Sequence, residues 1–139
     1  MKKRILTVPA KDDSFLEVQA FAEDTMAEYG CPVKIRTKMM ICIEEMVVNV
    51  FHYAYPKDQD AENAMLTVEM WTENGILGIT LIDSGIPYNP LEKEDPDITL
   101  SAEERQIGGL GIFMVKKKMD KVDYRYEDGK NIFTMSKKM

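Results

Sequence analysis

Glu45 and Asn49 stand four residues apart in the stretch Ile41-Cys42-Ile43-Glu44-Glu45-Met46-Val47-Val48-Asn49-Val50-Phe51-His52-Tyr53-Ala54-Tyr55. Met39, Ile43, Met46, Val47 and Val50 recur there at spacings of three and four, the apolar stripe of a helix. On such a helix Glu45 and Asn49 share a face and come within reach of one ligand. Glu44 points well round from Asn49, so a carboxylate that works with Asn49 is Glu45. Burying either group unpaired is unfavourable, so the pair serves a ligand, faces water or caps a neighbouring element.

Two later stretches carry further chemistry. Asp83-Ser84-Gly85-Ile86-Pro87 follows an apolar run that reads as a strand. An aspartate at a strand end accepts a hydrogen bond from an exocyclic amine. Adenine offers its N6 amino group, whereas guanine presents a carbonyl oxygen there and is repelled. Gly85 lets the backbone pass close to a flat ring; the same residues also suit a simple Asp-Ser-Gly turn. Gly108-Gly109-Leu110-Gly111 precedes another helical pattern. Missing side chains expose backbone N–H groups, and a helix N-terminus favours negative charge, which makes a phosphate cradle or, alternatively, a glycine hinge. Arg105, three residues upstream, reaches a terminal phosphate or stands exposed.

The elements that must position these residues are legible in order. Residues 2–8 read as a strand. Asp12 or Asp13 can N-cap a helix starting near Ser14, with Phe15, Val18, Ala22, Met26 and Tyr29 on its buried face and Gly30 as its C-cap. Pro32 suits the first turn of the Glu45 helix, and Pro56 stops that helix. Lys57 to Asn63 is a polar loop. Ala64 to Trp71 and Ile76 to Asp83 alternate as strands joined at Glu73-Asn74-Gly75. Residues 84–107, with three prolines and six acidic residues, lack periodicity, as functional lids do. A helix bearing Ile112, Val115 and Met119 follows. Val122 to Glu127 and Asn131 to Ser136 form a hairpin at Asp128-Gly129. Two helices before the first hairpin exclude a repeating β-α-β pattern. The fold class expected is α+β: a two-layer sandwich with helices on one face of a mostly antiparallel mixed sheet.

Composition bounds the function. The 139 residues suit a single domain spanning 1–139, with 45% apolar and 30% charged residues. A net charge of -6, from 18 basic and 24 acidic residues, argues against a nucleic-acid surface. No apolar run is long enough to cross a membrane, and the N-terminal apolar segment is too short for a signal peptide. Cys31 and Cys42 read as free thiols in a reducing cytoplasm, and one histidine without a cysteine cluster leaves no zinc site.

In combination the three motifs are more specific than any one. Helix Glu45-x-x-x-Asn49, then Asp83-x-Gly85-x-Pro87 after a strand, then Gly108-Gly109-Leu110-Gly111 before a helix resembles the GHKL ATPase superfamily and its Bergerat nucleotide-binding fold. The stand-alone length and Pro87 are similar to the anti-sigma factor serine-protein kinase group. This resemblance implies ATP and Mg²⁺ as cofactors. By it, Asn49 coordinates the Mg²⁺ that bridges the phosphates, Glu45 is the general base, and Asp83 binds adenine N6 with Gly85 beside the ring. Gly109 and Gly111 hold phosphates with Gly108, Leu110 and Arg105 nearby, under a lid of residues 88–107. Thr134 resembles a threonine that supports adenine through a shared water. It also implies a sigma factor and an anti-sigma factor antagonist as partners, and the group commonly forms homodimers. Many relatives place a basic residue four positions after Asn49; here that place is Tyr53. His52 lies about 100° round the helix from it, which favours a structural role for this histidine.

The function expected is an ATP-dependent kinase that phosphorylates a serine on a small antagonist protein. The competing reading is a nucleotide-gated binding module with little or no transfer. A detached sensor-kinase catalytic domain would need a phosphoacceptor histidine on a separate helix, and the chain has only His52.

Overall fold

The computed structural model describes residues 1–56, 63–92 and 110–139. Most of the expected loop after Pro56 and most of the expected lid, including Arg105, lie outside the described residues, as do Gly108 and Gly109. Five strands, β1 (Lys2–Pro9), β2 (Met65–Glu73), β3 (Ile76–Asp83), β4 (Lys121–Glu127) and β5 (Lys130–Lys138), form one sheet in the order β1-β2-β3-β5-β4. Among the described residues three α-helices, α1 (Phe15–Glu28), α2 (Val33–Tyr53) and α3 (Leu110–Lys118), cover one of its faces.

Connectivity explains the strand directions. β1 reaches β2 through two helices, an even number of reversals, so the neighbours are antiparallel. β3 reaches β4 through α3, and these two strands run the same way. β5 is inserted between them and is antiparallel to both. Among the described residues every adjacent pair is therefore antiparallel, in keeping with the mostly antiparallel sheet expected. Both hairpins turn on residues of positive φ, Asn74 (52°) with Gly75 (78°) and Asp128 (54°) with Gly129 (76°). That conformation matches the right-handed twist of the flanking strands.

Strand alternation divides the sheet into a dry and a wet face. Val8, Leu66, Val68, Met70, Leu77, Ile79, Leu81, Phe133 and Met135 point inward. They meet Val18, Ala22 and Met26 of α1, Met39, Ile43, Met46 and Val47 of α2, and Ile112 and Val115 of α3. The outer face carries Thr7 bonded to Thr67, Thr80 bonded to Thr134, and Trp71 laid across Gly78.

α1 starts differently from expectation. Asp12–Ser14 forms a 3-10 turn, and Ser14 is the N-cap without a side-chain bond. Neither Asp12 nor Asp13 caps the helix. Asp12 Oδ1 instead lies 2.8 Å from His52 Nε2, which ties the turn to the last turn of α2. The 3-10 turn supplies its own backbone bonds, so the aspartate is free for this longer-range tie. The structural role expected for His52 is the one it has. α1 ends as expected: Gly30 N–H bonds to Ala27 O and Cys31 N–H to Met26 O, with Gly30 at φ +69°. Cys31 and Cys42 are both buried free thiols. Burial pushes the Cys42 thiol up to about 11, so it stays protonated at neutral pH.

Candidate nucleotide site

Asp83 is the last residue of β3 and Asn131 the second of β5, and the two face each other across the ladder. Both are only 6% exposed. Asn131 Nδ2 donates to Asp83 Oδ1 and to Ile86 O, each at 2.9 Å. Its Oδ1 accepts from the Tyr88 N–H at 3.1 Å and from the Tyr124 hydroxyl. Two donors and two acceptor sites of one carboxamide are thus all used, which fixes the group rigidly. Asp83 Oδ1 also accepts from the Gly85 N–H at 2.9 Å. Its Oδ2 accepts nothing among the described residues. Burial pushes the Asp83 carboxyl above the usual carboxylate range, while the bonds from Asn131 and Gly85 work against that shift.

The carboxylate lines a cleft between the end of α2 and the facing ends of β3 and β5. Met46, Val50, Leu81 and Phe133 make its walls largely apolar, and Tyr88 and Tyr124 close one side. Asn49 of α2 contributes the third polar group. An apolar slot with a few convergent polar atoms is the usual form of a small-molecule site.

The turn after β3 is held to the end of α2. Ile86 N–H bonds to Ala54 O at 2.8 Å. The Tyr55 hydroxyl donates to Met65 O and accepts from the Ser84 N–H, both at 2.8 Å. A Cβ on Gly85 would run into the Ala54 carbonyl. The glycine is therefore required by the helix end packed against it, a reason distinct from the approach of a flat ring. Gly85→Ala is expected to destabilise the fold by roughly 1–3 kcal/mol, the range for overpacking a closed site. Urea unfolding checks this; an unchanged midpoint would mean that the α2 end yields freely.

Glu45 does not line this cleft. Its carboxylate lies over Gly111 in the first turn of α3. With Ile41, Cys42, Met114 and Val115 the two residues line a separate groove between α2 and α3. Glu45 and Asn49 are one turn apart on α2, as their spacing requires, but open into adjoining spaces. Tyr53 is exposed.

Residues 8–137 match the model of the histidine kinase-like ATPase domain. The chain belongs to this family. The serine-protein kinase RsbW of Listeria monocytogenes is 24% identical over 134 residues, spanning 94% of this chain and 83% of that protein. The serine/threonine-protein kinase BtrW of Bordetella bronchiseptica is 22% identical over 103 residues, 74% of this chain and 70% of that one. A crystal structure of the RsbU and RsbW domains of a Mycobacterium tuberculosis protein superposes with a TM-score of 0.68 at 16% identity. It covers 99% of this chain, which spans 32% of that longer one, and it shows the shared fold. The GHKL resemblance read from the three motifs thus holds at the level of the histidine kinase-like ATPase family.

Within the histidine kinase-like ATPase fold, the structure brings Asn49, Asp83 and Gly85 to one end of the helix–sheet interface. Leu110 opens α3 and Gly111 follows it. Thr134 is a correction. It points to the outer face of the sheet, 3.1 Å from Thr80, and so cannot support a ligand beside Asp83. Strand period two is the reason: Asn131, Phe133 and Met135 face inward, and Thr134 has the opposite parity. The residue that supports Asp83 is Asn131, which motif reading missed along with Tyr55, Tyr88 and Tyr124. One signal was available, since Phe133 and Met135 share the parity of Asn131. Among the described residues no helix is long and apolar enough to cross a membrane.

Proposed function

We propose that this chain is an ATP-binding protein serine kinase of the anti-sigma type. It would phosphorylate a small antagonist protein and bind a sigma factor, as a cytoplasmic, homodimeric regulator. The observation that carries the nucleotide reading is the buried Asp83 carboxylate. Its Oδ1 is locked by Asn131 and Gly85, its Oδ2 is free of donors among the described residues, and the slot beside it is apolar. An adenine fits that chemistry: the flat ring takes the apolar walls and N6–H meets Oδ2 as a charge-assisted bond.

The phosphates would then run past Asn49 toward the start of α3. Leu110 and Gly111, with Gly108, Gly109 and Arg105, are the residues proposed for them, and residues 88–107 are proposed as the lid. Asn49 offers one carboxamide oxygen, and no group of three or more His, Cys, Asp or Glu is gathered among the described residues. Such a donor set suits Mg²⁺ brought in by the phosphates, since this ion keeps substrate and water oxygens. Bound there, the ion would neutralise phosphate charge. Glu45 would take the proton from the serine hydroxyl. The binding-module reading has one observation in its favour, the placement of Glu45 in a groove separate from the Asp83 cleft.

Calorimetry tests the nucleotide reading. ATP and ADP are expected to bind and GTP is not, because guanine sets a carbonyl oxygen against the Asp83 carboxylate. Equal affinity for ATP and GTP would sink the assignment. The Asp83→Asn variant should lose ATP affinity. Acidification should weaken ATP binding to the wild type at a pH above the ordinary carboxylate range, because the raised Asp83 carboxyl protonates early and loses its charge. That component of the pH profile should be missing from Asp83→Asn.

A further inference from the structure

Gly111 occupies a place in α3 where glycine is not required by the backbone. Its φ is not in the left-handed region. Glycine weakens a helix relative to alanine, so its presence in a first turn asks for another reason. What a Cβ would meet supplies one. The three nearest heavy atoms, Oε1, Cδ and Cγ, all belong to Glu45, and all would sit inside van der Waals contact. Gly85 and Gly78 are hemmed in otherwise, by the Ala54 backbone and the Trp71 ring.

We infer that Gly111 is a positioning residue for Glu45: its missing side chain keeps clear the space in which the Glu45 carboxylate rests at the head of the α2–α3 groove. The inference rests on the reading of Glu45 as the general base. Glu45 is exposed, and its carboxylate makes no hydrogen bond or ion pair among the described residues. No bond holds it; the end of the side chain lies against a bare helix turn, with its oxygens open to an incoming hydroxyl. The groove is floored by Cys42 and Val115 and opens to solvent between the exposed Ile41 and Met114. A methyl on Gly111 would push the carboxylate out of this seat. Displacements on the order of 1 Å reduce transfer by about a hundredfold in positioned sites.

A glycine that serves the base and a glycine that cradles phosphate predict different results. Four proteins separate them: the wild type, Gly111→Ala, Glu45→Ala and the double variant. Where Gly111 serves Glu45, the alanine raises the melting temperature in the Glu45→Ala background, since the helix gains and nothing is displaced. In the wild-type background it gives no rise or a fall. A coupling of this kind identifies neighbours that act on one another. The carboxyl-carbon NMR signal of Glu45, assigned by its loss in Glu45→Gln, should move in Gly111→Ala. ATP affinity is read by calorimetry alongside, because Gly111 is also among the residues proposed for the phosphates. Equal melting shifts in both backgrounds, or a tenfold or greater loss of ATP affinity with an unmoved Glu45 signal, would overturn the inference and return Gly111 to the phosphates. All three readouts need only the protein and ATP. A wild type that transfers phosphate to no protein, with the coupling intact, would count against the kinase reading and leave the Gly111–Glu45 relation standing.

Discussion

Glu45→Gln is expected to bind ATP almost as the wild type does and to transfer phosphate about 10²–10⁴-fold more slowly, the usual contribution of a positioned general base. Glutamine keeps the length and shape of the side chain over Gly111 but cannot take a proton. ATP binding should survive because Glu45 lies outside the cleft that Asp83 and Asn49 line. Asn49→Ala should fail in the other way. It removes a polar group from the nucleotide cleft itself, so Mg²⁺-dependent ATP affinity falls together with transfer. Glu44→Gln is the control: Glu44 is exposed, lines neither space, and should change little. Labelled ATP with candidate antagonist proteins measures transfer, and calorimetry measures binding. If Glu45→Gln transfers as fast as the wild type, the base is elsewhere. If the wild type and all three variants bind ATP and none transfers, the nucleotide-gated binding module is the correct description.

The second large effect concerns Asn131→Ala. This carboxamide makes four hydrogen bonds inside the cleft, to Asp83, Ile86, Tyr88 and Tyr124. Its removal leaves Asp83 Oδ1 with Gly85 alone and deprives Tyr88 N–H of one acceptor. Each buried group left without its partner typically costs about 1–3 kcal/mol. The variant is therefore expected to lose roughly 2–4 kcal/mol of stability, since several groups are affected but solvent enters the opened cleft. Less of the opposing hydrogen bonding would remain on Asp83, so its carboxyl should rise further and ATP affinity fall by more than about tenfold. Thr134→Val is the matched control on the outer face. Its hydroxyl meets Thr80, so it should leave ATP affinity unchanged. Urea unfolding and calorimetry on the two variants decide the matter. A Thr134→Val variant that loses ATP affinity while Asn131→Ala keeps it would reverse the assignment.

Local signals in the chain carried far. The three-and-four spacing from Met39 to Val50 places α2 and the face that Glu45 and Asn49 share. Asn74-Gly75 and Asp128-Gly129 locate both hairpins, because few residues adopt the positive φ those turns need. Asp83 at a strand end and a glycine-rich entry to α3 are likewise short-range facts. Even the strand directions follow from counting helices between strands. Where local reading failed, a distant partner had intervened. Asp12 looks like a cap but is claimed by His52, forty residues on. Gly85 looks like a ligand-facing glycine but abuts Ala54.

What the sequence by itself determined, then, is the set of elements, the family and the residues at the ends of β3 and α2, since each depends on periodicity or on a turn's own dihedral needs. Only the tertiary structure decided which of those residues face one another. The β3–β5 register sets Asn131 opposite Asp83 and sends Thr134 to the far side, and a shift by a single residue would exchange them. The packing of α3 against α2 seats Glu45 over Gly111, in a groove beside the nucleotide cleft and outside it. Register and helix packing are settled by the whole buried surface at once, which no short stretch of chain contains.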